Sequence, residues 1–153
     1  MKNLKMRVAQ HNEFEEIKLI FYKHKKWFPH IRTDYMRRMI AKKRLIYQDG
    51  VIITFHHAVR KQKIGNVPVN KGETILHQIA NKESGNGNAK KILLQFFDWC
   101  EKDVYLSVRA DNLNACKFYD IIGMKEIGEH NWAKGKIKGK VYVRRKLTTR
   151  SLY

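Results

Sequence analysis

"TILHQIANKESGNGNAKKILLQFF", residues 74–97, is the stretch on which the fold turns. Apolar and β-branched residues over 74–81 read as a strand. A polar segment carrying Gly85 and Gly87 follows and reads as a turn. Leu93, Phe96, Phe97 and Cys100 then recur at helical spacing, which places a helix over 88–102. Strand, glycine-bearing turn and helix is an arrangement that unrelated folds use to hold a phosphate. Turn N–H groups and the helix dipole favour an anion, and glycines let the backbone approach it. Ala89 keeps the first helical turn open. On spacing alone, the stretch reads equally as such a cradle or as an ordinary strand-to-helix connection.

Three phosphate ligands can be weighed against it. A nucleotide P-loop ends in Gly-Lys-Ser or Gly-Lys-Thr, which "GNGNAKK" lacks. A dinucleotide fold needs a third glycine, a long βαβ repeat and an acid downstream, and here the third glycine is missing and the following strand leads elsewhere. The pyrophosphate of coenzyme A needs only the backbone cradle.

Working outward, "MRVAQ" (6–10) is a short strand candidate. Residues 11–28 form an amphipathic helix with Phe14, Ile17, Phe21, His24 and Phe28 on one side, Asn12 as its cap and Pro29 as its stop. Residues 32–44 form a second helix with Met36, Met39 and Ile40 inward and Arg37, Arg38, Lys42 and Arg44 outward. Residues 44–61 read as a hairpin about Asp49-Gly50. "QKIGNVPVNKG" (62–72) reads as a mobile loop. "VYLSV" (104–108) is a strand, and 112–123 is a helix with Ala115, Phe118 and Ile122 inward, stopped by Gly123. Two closing strands, 124–132 and 136–147, are joined by a glycine-bearing turn. The order β-α-α-β-β-β-α-β-α-β-β describes an α/β single domain over 1–153, with a mixed central sheet flanked by helices.

Composition bounds the function. The chain has 153 residues, with 32 Lys plus Arg against 14 Asp plus Glu, a formal charge of +18. The excess runs through all three thirds of the chain among 43% hydrophobic residues, so the charge belongs to a folded body and not to a basic arm. Such a field favours polyanionic partners, DNA or RNA among them, and equally fits a solvated basic surface. Cys100 and Cys116 match no zinc spacing and read as reduced, buried thiols. "MKNLKMRV" lacks the apolar run of a signal peptide, and no stretch has the ~20 apolar residues of a membrane helix. A soluble, cytoplasmic protein with no membrane partner is expected. The oligomeric state is not legible.

"LSVRADNLNACKFYDIIGMKEIG" (106–128) resembles the second signature segment of the GNAT superfamily of acyl-CoA-dependent N-acyltransferases. It has a strand ending in "LSV", an Asn opening a helix, "A..FY", "GM" in place of the usual "GF", and a strand reaching Gly128. "ILHQIANKESGNGNAKKIL" resembles the first segment. Two segments in this order are far more specific than either alone. The resemblance implies a GNAT-like fold and acetyl-CoA or another acyl-CoA as co-substrate. It further implies that Ile79, Ala80 and Asn81 offer main-chain groups to the pantetheine arm. Ser84, Gly85, Asn86, Gly87, Asn88 and Ala89 would then hold the pyrophosphate. Ser84 departs from the pattern, because the family carries Gln or Arg there, so one side-chain contribution is lost while the backbone cradle remains.

Acyl transfer to an amine needs a neutral amine, a donor for the developing oxyanion and a proton for the leaving thiolate. The resemblance implies Tyr119 as the acid, since a phenol is protonated at neutral pH, and Asn114 as a hydrogen-bonding neighbour of the coenzyme. Side-chain packing beside Phe118 and a first-turn or capping role are the structural alternatives for these two. His77, on the strand before the loop, is the candidate base. It alternates with Ile75 and Ile79, which also fits a core position. Glu73 is a further candidate, and at most one of the adjacent His56 and His57 can face a cleft. No metal site is expected. Basic clusters interleave with Trp27, Phe28 and Trp132, the pattern that stacks bases and holds phosphates. Three readings follow: an acyltransferase on nucleic acid or a nucleic-acid-associated amine, one on protein or small amines, and a catalytically silent nucleic-acid-binding protein.

Overall fold

Asp49 and Gly50 both take left-handed backbone, φ 50° and 77°, the twist that closes a two-residue hairpin. The computed structural model, which describes residues 5–29 and 31–147, places them between β1 (Leu45–Gln48) and β2 (Val51–His57), paired antiparallel with Gln48 opposite Val51. Residues 1–4 of the stretch read for a leader lie outside the described residues. Leu45–Tyr47 and Val51–Phe55 are buried without alternation, as in strands covered on both faces. Further strands are β5 (Thr74–Asn81), β6 (Val104–Arg109), β7 (Lys125–Glu129) and β8 (Gly139–Arg144). Hydrogen bonds link the strands in the order β1-β2-β5-β6-β8-β7. Contacts divide the chain into two units, Met1–Phe55 with His77–Trp99 and His56–Leu76 with Cys100–Tyr153.

In the first unit, α1 (Phe14–Lys23) and α2 (Thr33–Ala41) bury Phe14, Ile17, Phe21, Met36, Met39 and Ile40. Leu45, Tyr47, Ile52 and Ala80 belong to the same cluster. The first helix is shorter than its sequence period. Residues 11–13 form a 3-10 turn, and His24 leaves helical geometry as the C-cap. Asn12 is not the cap, because the Gln10 N–H donates to Glu13 Oε1 at 2.9 Å and the chain enters there. The expected strand at 6–10 reduces to one bridge, Val8 to Ile46. α3 (Asn88–Trp99) buries Ile92, Leu93, Phe96 and Phe97. Phe96 lies 5.2 Å and Trp99 5.5 Å from the Phe55 ring, both edge-on.

In the second unit, β8 pairs antiparallel with β6 from Val104–Arg144 to Arg109–Gly139, and with β7 across a bulge between Glu126 and Gly128. β5 meets β6 in parallel at Thr74–Val104 and Ile75–Tyr105. Residues 62–72 are not a loop. They form the hairpin β3 (Gln62–Ile64) and β4 (Val67–Val69) about Gly65-Asn66. Ile64, Val67 and Val69 are buried, and the Asn66 N–H donates to Glu129 O at 3.0 Å. Tertiary burial thus orders strands too short to show a period in sequence. α4 (Leu113–Ile121) also differs. Its buried residues are Cys116 and Tyr119, with Ile122 beyond its end, whereas Ala115 and Phe118 are half-exposed.

Gly65 is one position where this unit tolerates no side chain. Its φ is +58°, and a Cβ would stand 2.0 Å from Glu129 O and 2.7 Å from His130 Cβ. Gly65→Val is expected to cost about 2–4 kcal/mol, lowering Tm by roughly 5–15 °C in a protein of this size. A thermal unfolding scan checks it, and a shift under a degree would contradict the packing described.

Candidate active site

The turn between β5 and α3 is built by its asparagines and glycines. Gly85 and Gly87 are left-handed, φ 76° and 78°, with nothing within 4 Å of where a Cβ would stand. Asn86 Oδ1 accepts from Asn81 Nδ2 at 3.1 Å and from the Asn88 N–H at 3.0 Å. Asn81 Oδ1 accepts from the Glu83 N–H at 3.2 Å. The helix begins directly afterwards, with the Lys91 N–H donating to Gly87 O at 3.2 Å. No acidic residue stands in the first turn of α3, so the helix itself places no carboxylate at the dipole end facing the loop. Open glycine positions and an acid-free helix start fit an oxyanion such as a pyrophosphate.

The same loop is fastened from outside. The Lys82 N–H donates to Gly50 O at 2.8 Å. Asn88 Nδ2 donates to Asp49 O at 3.0 Å, and Lys91 Nζ pairs with Asp49 Oδ2 at 2.9 Å. From the end of α1, Lys23 Nζ donates to Lys82 O at 2.7 Å, and His24 Nε2 donates to Asn81 O at 3.0 Å. The loop lines a polar cleft of about 310 Å³, whose lining includes Glu16, Tyr47, Asp49, Asn81, Lys82 and Glu83. A hydrogen bond from Tyr47, and next Lys82, hold the Glu16 carboxyl below the usual carboxylate range. Burial, with Glu16 second, pushes the Tyr47 phenol up.

Ser84 is exposed, as are Gly85, Asn86 and Gly87, whereas Asn81, Asn88 and Ala89 are half-buried. Ile79 is half-buried and Ala80 buried on β5. The Asn81 carbonyl is already occupied by His24. His77 is exposed on β5 and is not a core residue. Beside it, Gln78 heads a network absent from the sequence reading. The Thr54 hydroxyl donates to Gln78 Oε1, Tyr35 Oη donates to the same oxygen at 3.0 Å, and the Gln78 N–H donates to Thr54 Oγ1 at 3.0 Å. Burial raises the Tyr35 phenol. The available signal was strand alternation, which sets Gln78 on the opposite side from His77.

The second unit holds the remaining candidates. Asn112, not Asn114, caps α4, its Oδ1 accepting from the Ala115 N–H at 3.2 Å. Asn114 is an exposed first-turn residue. Tyr119 is buried, its ring 5.6 Å from Phe118 and 5.7 Å from Tyr142, and burial pushes its phenol up. It is therefore protonated throughout the physiological range. Glu73 is engaged structurally, its Oε1 accepting from the Asn70 N–H at 2.7 Å and from Tyr105 Oη at 3.2 Å. His57 Nδ1 lies 2.7 Å from Thr74 Oγ1, and His56 Nε2 lies 3.0 Å from Gln62 Nε2. Among the described residues no cluster of His, Cys, Asp and Glu is placed to hold a metal ion, and no helix is long and apolar enough to cross a membrane.

No protein-family model matches the sequence, and no curated protein matches it. Solved structures do match. A GNAT-family acetyltransferase from Streptococcus agalactiae superposes with a TM-score of 0.73 at 14% identity, over 94% of this chain and 96% of that one. The ribosomal-protein-S18-alanine N-acetyltransferase of Escherichia coli gives 0.64 at 16% identity, over 97% and 98%. Arabidopsis thaliana NAA60, solved with a bisubstrate analogue, gives 0.67 at 15%, over 94% and 99%. The chain has the GNAT fold along nearly its whole length.

Asn86→Ala is expected to remove the acceptor that closes the 81–88 turn. Each hydrogen bond lost contributes about 0.5–1.5 kcal/mol. Amide exchange should therefore quicken roughly tenfold or more at residues 82–88, with exchange in β2 and β6 unchanged. Hydrogen–deuterium exchange by mass spectrometry checks this, and an unaltered loop would remove Asn86 from the account.

Proposed function

We propose that this chain is an acyl-CoA-dependent N-acyltransferase, with acetyl-CoA or another acyl-CoA as co-substrate. The observation that carries the reading is the β5–α3 turn, with two left-handed glycines open to a ligand, an acid-free helix start and an asparagine lattice, on a GNAT fold. Main-chain N–H groups over 84–89, less that of Asn88, which Asn86 Oδ1 occupies, take the pyrophosphate, and the dipole of α3 favours its charge. The asparagines hold the turn in shape where the usual Gln or Arg is replaced by Ser84. Ile79, Ala80 and Asn81 offer main-chain groups to the pantetheine arm, less the Asn81 carbonyl, which His24 occupies. Asn114 is assigned as a hydrogen-bonding neighbour of the coenzyme.

In the reaction, the amine nitrogen bonds to the thioester carbonyl carbon and the carbon–sulfur bond breaks. His77 is assigned as the base that takes the amine proton, directly or through water. Its exposure on β5 leaves the ring accessible to that proton. Tyr119 is assigned as the acid that returns a proton to the thiolate; its burial keeps the phenol protonated and also makes it a weaker acid.

For the acceptor we infer nucleic acid or a nucleic-acid-associated amine. A charge of +18 concentrates polyanions and repels small cationic amines. A protein amine is the second reading, favoured by the name of the E. coli neighbour, a ribosomal-protein alanine N-acetyltransferase. A cytoplasmic location suits both.

Acetyl-CoA or CoA is expected to stabilise the native state by mass action, by about 2.7 kcal/mol at a hundredfold excess over Kd, and so to raise Tm. Gly87→Val, strained at φ +78°, is expected to abolish that shift. A full shift in the variant would take the loop out of the reading. Tyr119→Phe is expected to lower kcat about a hundredfold or more with coenzyme affinity kept, and unchanged turnover would leave Tyr119 a packing residue only. The acceptor is settled by mass spectrometry of nucleosides digested from DNA or RNA incubated with enzyme and acyl-CoA. An acyl mass on nucleosides supports the first reading, and the mass on a protein amine instead supports the second.

A further inference from the structure

We propose that the turn joining β7 to β8 is a contact for single-stranded nucleic acid, in which His130 and Trp132 stack a base while Lys134, Lys136 and Lys138 hold the neighbouring phosphates. The proposal deepens the nucleic-acid reading above and rests on it for the partner class. It stands on geometry within the second unit.

The His130 and Trp132 rings lie 4.5 Å apart, 33° from parallel. Their position is built. The Trp132 ring occupies the space over Gly139 that a side chain would fill, because a Cβ there would stand 2.4 Å from Trp132 Cζ3 and 2.3 Å from His130 O. The His130 N–H donates to Gly139 O at 3.2 Å, and His130 Nδ1 lies 3.2 Å from Ser107 Oγ. The β3–β4 hairpin braces the preceding residue, with the Glu129 N–H donating to Asn66 Oδ1 at 2.9 Å. Burial keeps the imidazole below its ordinary pKa, so the ring is neutral above pH 7 and stacks as an aromatic.

The chain then spends conformational energy to form the tip. Ala133 and Lys134 are left-handed, φ 53° and 56°, ahead of Gly135 at 86°. For residues with a side chain this region is costly. The bridge between Trp132 and Ile137 holds it, with the Gly135 and Ile137 N–H groups both donating to Trp132 O at 3.1 Å. The result presents Lys134, Lys136 and Lys138 to solvent. Among the described residues none of these three has an ion-pair partner, whereas Lys140 is held by Glu126 at 3.0 Å. Uncompensated lysines beside a stacked aromatic pair match a strand that offers both phosphates and unstacked base faces. A duplex offers the phosphates but keeps its base faces inside.

The test uses the full chain and a fluorescently labelled 12-nucleotide single strand of mixed sequence, titrated by anisotropy across a salt series. Wild type is expected to bind with a steep log–log salt slope. The combined variant Lys134→Glu, Lys136→Glu, Lys138→Glu is expected to lose at least tenfold in affinity and about 0.7 of slope per phosphate-contacting lysine. Trp132→Ala is expected to lose roughly five- to hundredfold for the single strand and less for a duplex of the same length. Trp132→Phe restores most of the loss, and it serves as the readout if the alanine variant fails to fold. Wild-type binding in the charge variant overturns the proposal. So does loss of binding only on reversal of Arg37 and Arg38, or tighter binding to phosphatidylserine vesicles or polyglutamate than to the oligonucleotide. The acyl-CoA Tm shift, measured on the same preparations, separates the two readings. An intact shift with no oligonucleotide binding overturns this surface alone, and an absent shift with binding overturns the acyltransferase reading alone.

Discussion

The two hydrogen bonds accepted by Asn86 Oδ1, from Asn81 Nδ2 and the Asn88 N–H, close the turn on which the rest of the candidate chemistry depends. A peptide segment that must leave a strand, reverse and start a helix within six residues has few conformations open to it. Here it uses left-handed backbone at Gly85 and Gly87, which costs residues with a Cβ about 1–2 kcal/mol each. The asparagine between them contributes a comparable amount through its bonds. The Asn88 N–H, the first of α3, is taken by Asn86 Oδ1, and the open glycines leave the rest of the turn accessible. A loop of this composition without the bonds would pay the ordering entropy when a ligand arrived, and affinity would fall accordingly.

Charge and core are kept apart except at Glu73, which is buried against Tyr105. The described carboxylates that pair with Lys or Arg do so mainly near the surface, as in Lys91–Asp49 and Arg109–Asp111, where each contributes at most about 1 kcal/mol. Stability therefore comes from apolar burial, in the first unit around Ile17, Phe21, Met36 and Ile52, and in the second around Ile75, Tyr105, Val141 and Val143. The +18 field destabilises the compact state by self-repulsion.

Three tyrosines show how one residue type serves different ends. Tyr35 donates to Gln78 on β5, Tyr105 donates to Glu73, and Tyr119 packs its ring between Phe118 and Tyr142. Burial raises all three phenols, so each is a donor and not an anion near neutral pH. Buried phenols keep a proton available in places where a histidine would titrate.

Local patterns were enough for much of this protein. The strand at 74–81, the glycine turn, the helix that follows and the Asp49-Gly50 hairpin were legible because turn chemistry and side-chain period are properties of neighbours in sequence. Two segments in the right order were enough to suggest the fold. Other features belong to residues far apart in sequence. Residues 62–72 become a hairpin because Ile64, Val67 and Val69 find a core beside Ile75, Tyr105 and Val143. Tyr119 turns inward and Phe118 partly outward because Tyr142 of β8 receives the former. Gln78 acquires its role from Thr54 and Tyr35, 24 and 43 residues away. A periodic pattern states that a face is apolar, but which member of it is buried depends on the surface it meets, and that surface exists only once the chain has folded.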